Sequence, residues 1–570
     1  MSRLDRPFVG KWAAAARGLL FVAAWLVLNT LANLRQPARD GGPGAWFLLP
    51  SIDVLVLLGA FALAGWRRVR VPASIGWALA VALLVVRLIR AGDGLIRLNY
   101  YRPLNLYLDL PLLPDLGRLL ATTVPPPRLI MGAMAIAVGL ALAIAFAGAA
   151  MIFAQRALAH RGPRWILLGG VAACLTLTPL WPSSDERHAG LFGKSVVPLL
   201  IDQARYALDA SDLRREKSIA IRDTQQRLRA AGGDLAKLRR ADVFIFFIES
   251  YGATVFRLPA HVARMQPALQ AFTADMNQHG LHVATGLLDS PTYGGGSWLA
   301  HATFAAGVTI KNGLEFAVLR QSRPPPRTLA TFFRDAGYRT ILAQPGTTRP
   351  WPEGEVTGFQ RKYYATDFAY RGPPFGWATM PDQFVVDLIH RREVVPATQP
   401  LFIQYTLVSS HAPWNEQAPV LDDWSRIGDG AVFHTVEPRT FPVSWQNLGD
   451  GGPAYIDSLV YDLQILARYI DRLGDRNALY IVLGDHQPPG NVTGDDPSPA
   501  VPVHLLSADA ALLDSFAADG FAPGIRPPTS GHPADMETFL PTFVTRVSRP
   551  PSQNLEPPST AIEGSRGSIP

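Results

Sequence analysis

A single cysteine, Cys174, stands in a chain of 570 residues, and it falls inside an apolar stretch. No disulfide can form within the chain and no thiolate metal cluster can be assembled, so any extracytoplasmic part must be stable without covalent staples. Charge is also scarce: 17% of residues are Asp, Glu, Lys or Arg, against 48% hydrophobic. The formal net charge of +7 comes largely from arginines beside hydrophobic segments. No dense basic run interleaved with aromatics occurs, which argues against a nucleic-acid partner. No internal repeat is evident. The length exceeds one ordinary domain, and the hydrophobic excess predicts a membrane part joined to a soluble part.

Hydrophobic runs fill the first third. Five segments, Leu19–Leu34, Trp46–Trp66, Ile75–Ile89, Leu129–Ala154 and Trp165–Trp181, read as membrane spans, several of them near the roughly 20 residues needed to cross hydrocarbon. Asp53 is a charge inside the second, and Arg87 lies near the end of the third. A cleavable signal peptide would explain the first run, but the further runs that follow favour a true span. Arg67, Arg68 and Arg70 in one short loop, Arg156, Arg161 and Arg164 in another, and the basic N-terminus share one side, which predicts that this side is cytoplasmic. The loop 90–128 is long, and its stretch LNYYRPLNLYLDL suits the membrane interface. Five spans from an inside N-terminus put everything after Trp181 outside. The expected organisation is a membrane domain over 1–184, a helical tether over 185–240, an extracytoplasmic α/β domain over 241–547, and a disordered Pro/Ser/Gly-rich tail over 548–570.

From Ala241 onward short apolar strands alternate with helical segments, as in Thr340–Ala343 after Thr328–Ala336, Leu401–Val408, and Ala478–Leu483 after Ile456–Leu473. Such alternation predicts an α/β domain with a mostly parallel sheet. The chain is organised around DVFIFFIESYG, Asp242–Gly252, whose run Val243–Ile248 reads as a fully buried strand ending in Glu249. Open α/β sheets place ligands at the carboxyl ends of their strands, although a charged residue there also marks a strand simply emerging into solvent. A second such strand, ALYIVL, runs into Gly484-Asp485-His486. Glu from one strand end and Asp-His from another make a plausible metal site across a sheet.

Two further polar sites lie between them. Pro291-Thr292-Tyr293-Gly294-Gly295-Gly296-Ser297-Trp298 precedes the helical stretch Leu299–Gly307. A Gly-rich turn ahead of a helix lets backbone N–H groups approach an anion. Ser297 then sits where either a nucleophile or a plain N-cap belongs. Ser409-Ser410-His411-Ala412-Pro413-Trp414 follows the strand Leu401–Val408, which puts His411 at a third strand end, although a lone His there is usually structural.

IESYG, GGGSW, SSHAPW and LGDHQ, in that order, resemble the alkaline-phosphatase/sulfatase superfamily. With five spans ahead of them, they resemble more narrowly its membrane-anchored lipoteichoic acid synthases, phosphoglycerol transferases and phosphoethanolamine transferases. The resemblance implies one divalent metal, Mn²⁺, Mg²⁺ or Zn²⁺, held by Glu249, Asp485, His486 and the hydroxyl of the nucleophile Ser297. It implies His411 as a ligand of substrate oxygens and Trp351, in GTTRPWPEG, as a rim contact to the head group; Asp382, in PFGWATMPDQF, is a further substrate-site candidate, for which a helix N-terminal Asp is the plainer account. In the lipoteichoic branch an Arg follows the Trp two residues on, where this chain has Glu353. The family nucleophile is more often Thr, and Thr292 competes for the role. The sulfatase pattern, Cys or Ser followed by x-Pro-x-Arg, is absent after Ser297, and the lack of disulfides leans away from the phosphoethanolamine branch.

The implied activity is transfer of a substituted phosphoryl head group, phosphoglycerol foremost, from a membrane phospholipid donor to a glycan or lipid-linked acceptor via a covalent Ser297 intermediate. A phosphodiesterase using water and a non-catalytic sensor or scaffold are the competing expectations; a transporter is disfavoured by the few intramembrane charges.

Overall fold

The computed structural model describes residues 6–33, 50–177, 188–189, 192–193, 195–230, 233–349, 351–444, 447–494 and 496–549. The chain divides into two compact units, Met1–Leu213 with Pro489–Gly494, and Arg214–Pro488 with Asp495–Pro570.

The first unit is helical, with five apolar helices: α1 (Arg6–Asn33), α2 (Ile52–Trp66), α3 (Ala73–Tyr100), α4 (Pro126–Ala157) and α5 (Arg161–Leu177). Ala15–Asn33, Ala73–Tyr100 and Pro126–Ala157 are each long and apolar enough to cross a membrane. The helices α2 and α5 have 15 and 17 residues, short of the roughly 20 of a straight crossing. Of the five expected spans, residues 34, 46–49 and 178–181 lie outside the described residues, as does the tail beyond residue 549. Small residues let the helices approach closely. A Cβ on Gly148 of α4 would lie 2.2 Å from the Trp77 ring of α3.

The helix α3 continues eleven residues past Ile89, the expected end of the third span, and carries Arg90 and Asp93 in that extension. Both charges have partners. The Arg90 guanidinium donates to the Ala32 carbonyl and lies 3.6 Å from Asp53, while Asp93 accepts from the Leu104 amide and from Arg97. Asp53 is satisfied by the Ser195 hydroxyl and the Val196 amide at 2.9 Å. Its presence in an apolar helix therefore has a structural account.

The second unit reaches back further than the strand at Asp242, because Ile221, Leu228, Leu235 and Leu238 of the expected tether are buried in its hydrophobic clusters. Its centre is a nine-stranded sheet. The strands are β1 (Asp242–Ile248), β2 (His282–Asp289), β3 (Arg339–Gln344), β4 (Arg361–Tyr364), β5 (Leu401–Leu407), β6 (Ala478–Gly484), β7 (Ala500–Ser507), and the short β8 (Ala522–Pro523) and β9 (Ala534–Asp535). In space the order is β8-β2-β7-β6-β1-β5-β3-β4, with β9 beside β2. From β6 to β4 every pairing is parallel. Of these, β1, β5 and β6 are buried on both faces, which is why they read as continuous apolar runs. The short β8 is antiparallel to β2, and β7 is antiparallel to both its neighbours. Two reversals cancel, so β2 runs in the same direction as β6. The carboxyl ends of β1, β2, β5 and β6 therefore open on one edge of the sheet.

Three helices frame that edge: α6 (Pro259–Gln278), α7 (Ser297–Ala306) and α8 (Asp382–Ile389). A longer one, α9 (Gly452–Leu473), buries Tyr455, Leu459, Leu463, Leu466 and Ile470.

Candidate functional site

Register alone brings the acidic groups together. Gly484 pairs with Ile248, and Ile248 with Leu407, so Asp485 and Glu249 emerge side by side one residue past the ladder. Gly484 is required there, because a Cβ would lie 1.9 Å from the Tyr251 carbonyl oxygen. Glu249, Asp485 and His486 are all buried, and each offers a ligand atom within 4.8 Å of the others. His486 Nε2 lies 3.3 Å from Glu249 Oε1 and 3.7 Å from Asp485 Oδ2.

The ligand geometry is held from behind. Asp485 Oδ1 accepts from the amides of Ser250 at 2.8 Å and His486 at 2.7 Å. His486 Nδ1 donates to the Gln487 carbonyl at 2.8 Å, which fixes the ring with Nε2 toward the carboxylates. Ser250 adopts a left-handed conformation, φ 60°. It is kept there by the Tyr455 hydroxyl, which donates to its carbonyl at 2.8 Å, while its own hydroxyl donates to Glu249 Oε1 at 2.9 Å.

The glycine turn delivers Ser297 to this cluster. Gly294, Gly295 and Gly296 have φ of 68°, 152° and 85°, a path that side chains with a Cβ rarely follow. Gly296 occupies the cap of α7, so Ser297 is its first helical residue and caps nothing. Its hydroxyl donates instead to Glu249 Oε2 at 2.8 Å and lies 3.2 Å from His486 Nε2. Thr292 goes elsewhere: its amide donates to the Ser290 hydroxyl at 3.3 Å, and the two hydroxyls lie 3.5 Å apart. Ser290 in turn donates to the Asp485 carbonyl at 2.6 Å.

Burial works against charge on Glu249, but the facing His486 and His411 rings and the Ser297 hydroxyl outweigh it and lower its pKa. Asp485 is pushed up to about 7, by burial first and then by Glu249. For His486 burial lowers the pKa, but Asp485 and Glu249 overcome this and raise it to about 9. Two buried carboxylates facing one imidazole thus attract positive charge. Asp485 Oδ2 is buried with no hydrogen-bond partner, aimed at the same point as His486 Nε2. Oxygen and nitrogen donors with one unmet acceptor suit a divalent cation.

His411 follows β5 on the same edge. Its Nδ1 donates to the Ala412 carbonyl at 2.6 Å, and its ring stacks on Trp377 at 3.8 Å between centroids. Burial lowers its pKa, with Glu249 opposing. Trp351 is not brought to the metal cluster by any contact among the described residues; it stacks on Phe316, which receives the edge of Trp298 at 4.9 Å. These rings and His301 are among the residues lining a cavity of about 20 Å³. Asp382 is fully buried. Both its oxygens accept main-chain amides, from Val408 at 2.9 Å and Ser409 at 2.7 Å. As the first residue of α8 it fits the plainer account of a helix N-terminal acid, with the added task of gripping the turn before His411.

Several supports had no sequence signal. Ser250, Ser410 and Gln487 lie within IESYG, SSHAPW and LGDHQ, and Trp377 within PFGWATMPDQF, but nothing in those strings marks them as supports, and Tyr455 lies in none of them.

Residues 267–509 match the Sulfatase family model. No curated protein matches the chain. Among solved structures it is similar to the integral membrane lipooligosaccharide phosphoethanolamine transferase A from Neisseria meningitidis, 12% identical over 93% of this chain and 96% of that one, with a TM-score of 0.43. It is also similar to the Streptococcus pyogenes phosphoglycerol transferase GacH in complex with sn-glycerol-1-phosphate, 13% identical over 59% and 91%, TM-score 0.36. A third is the lipoteichoic acid synthase LtaP from Listeria monocytogenes, 14% identical over 54% and 72%, TM-score 0.34.

Proposed function

We propose that this chain, whose residues 267–509 match the Sulfatase family model, is a membrane-anchored, metal-dependent phosphotransferase. It moves a substituted phosphoryl head group, phosphoglycerol foremost, from a membrane phospholipid to a glycan or lipid-linked acceptor hydroxyl. The observation that carries the reading is the Ser297 hydroxyl, placed at the start of a helix within reach of both Glu249 and His486.

Glu249, Asp485, His486 and Ser297 would hold the cation, Mn²⁺, Mg²⁺ or Zn²⁺, which would lower the pKa of the serine hydroxyl and neutralise phosphate oxygens. Ser297 Oγ then attacks phosphorus as the bond from phosphorus to the lipid alcohol breaks. The proton lost by Ser297 ends on that alcohol. In the second step the acceptor oxygen attacks phosphorus, Ser297 leaves, and the acceptor's proton returns to Ser297. With Nδ1 committed to Ala412, His411 has Nε2 to carry a proton or to hydrogen-bond the phosphoryl oxygens. Its stacking on Trp377 fixes the ring plane without adding charge.

Labelled phosphatidylglycerol vesicles mixed with the purified full-length protein test the reading. Diacylglycerol should appear together with a labelled acceptor when glycans are supplied; label released only as free glycerol phosphate would favour hydrolysis. His411→Gln should reduce turnover about a hundredfold to ten-thousandfold, with bound metal unchanged because the ring is not part of the ligand cluster. Metal loss in that variant would reassign His411 as a ligand.

The proposed topology is a cytoplasmic Met1 and an extracytoplasmic second unit, supported by the arginines of the short loops. Reporter fusions after Arg70 and after Ser184 should give opposite signals. Matching signals would remove the five-span arrangement.

A further inference from the structure

Two carboxylic acids with no partner of opposite charge lie in the second unit. Asp382 of α8 and Asp462 of α9 are both fully buried, and neither has an ion pair among the described residues. Asp382 accepts the Val408 and Ser409 amides, and its own amide donates to the Ser409 hydroxyl at 3.2 Å. Asp462 receives no hydrogen bond on either oxygen. It faces Asp382 and the Ser410 hydroxyl. Ser410 already spends its proton on the Glu249 carbonyl, at 2.8 Å, so toward Asp462 its oxygen can only accept. The remaining titratable neighbour is the Tyr461 phenol on α9.

The Asp382 carboxylate and the Ser410 oxygen thus both face Asp462 as acceptors, while the Tyr461 phenol can give as well as take a hydrogen bond. Two facing carboxylates in a dry interior cannot both be ionised, and one proton must be held between them. Two amide donors stabilise the charge on Asp382, and Asp462 has none. The proton belongs on Asp462.

We propose that protonated Asp462 and ionised Asp382 form a buried acid–carboxylate pair that positions the turn Val408–His411 and, through Ser410, the main chain at Glu249. Asp462 is a positioning residue: its proton bridges to Asp382 or Ser410 and completes a hydrogen-bonded network that ends at the Glu249 carbonyl and beside His411. Burial and the adjacent Asp382 charge push the Asp462 pKa well above the usual carboxylate range, in keeping with that proton.

The kinetic arm of the test rests on the phosphoryl-transfer reading; the stability arm does not. Asp462→Asn keeps a donor in place of the acid and should stay within about threefold of wild-type kcat. Asp462→Leu fills the space without a donor and should lose about tenfold to a hundredfold in kcat, with little change in KM. Asp382→Asn turns an NH₂ group toward two amides and should lose at least as much, with metal content retained in each folded variant. The pair is overturned if Asp462→Leu matches Asp462→Asn, or if Asp382→Asn is the tolerated change and Asp462→Asn is not. Should Asp382→Asn fail to fold, the two Asp462 variants still decide.

Thermal stability of the full-length protein in detergent gives the second readout. An acid whose pKa is raised in the fold contributes stability that is present below the ordinary aspartate range and is lost as pH climbs toward the raised value. Asp462→Asn has no proton to lose. Its midpoint relative to wild type should therefore rise between about pH 5 and pH 9. A pH-independent difference overturns the assignment of the proton, whether or not any lipid is turned over.

Discussion

Ser297→Ala should lower head-group transfer by roughly a thousandfold or more, the scale seen when a covalent nucleophile is removed, while the protein still binds its cation. The argument is geometric. The Ser297 hydroxyl is 2.8 Å from Glu249 Oε2 and 3.2 Å from His486 Nε2. The rival hydroxyl, Thr292, is turned to Ser290. Three protein ligands remain in the alanine variant, so metal content should change little. Ser297→Thr should keep part of the activity, since it supplies the same hydroxyl at the same helical position. Measured kcat, with metal per protein determined on the same preparations, checks both.

The second large effect is metal loss. Asp485→Asn preserves Oδ1, which accepts the Ser250 and His486 amides, but replaces one buried oxygen by an NH₂ donor. Altering groups that merely orient a ligand typically lowers metal affinity by about tenfold to a hundredfold. Replacing a ligand oxygen should exceed that. Glu249→Ala and His486→Ala should behave alike, each removing one of the atoms gathered within 4.8 Å. Elemental analysis of the purified variants, alongside turnover, is the check. Wild-type metal content in all three would place the ion elsewhere.

The sheet's central strands were legible because burial on both faces leaves no polar alternation. DVFIFFI and ALYIVLG read directly as parallel strands, and the residues after them as the site. What joins the pieces was less visible. β2 has a mixed burial pattern and a central Gly286, so HVATGLLD carries no clean strand signal. Yet β2 is what returns the chain to the ligand edge before the glycine turn. The antiparallel β7 is as fully buried as the parallel strands at the centre of the sheet, and direction cannot be read from composition.

The supports are long-range. Tyr455 lies about two hundred residues from Ser250, and no local pattern marks it as the group that fixes that backbone. Asp382 reads from the sequence as a substrate-site candidate or, more plainly, a helix N-terminal acid, because a carboxylate at the first helical position has a sufficient local explanation. Its burial against the turn before His411 appears only when α8 is packed onto β5. The expected third span, Ile75–Ile89, is shorter than the helix α3 that contains it, because the charges beyond Ile89 find partners: Arg90 at Asp53 and the Ala32 carbonyl, and Asp93 at the Leu104 amide.

Mass spectrometry of the peptide spanning residues 288–302, after the full-length protein is mixed with phosphatidylglycerol vesicles and quenched, tests the central claim most directly. The account predicts a substituted phosphoryl group on Ser297, lost on adding acceptor and absent from Ser297→Ala. Modification of Thr292, or normal turnover with Ser297 never modified, would contradict it.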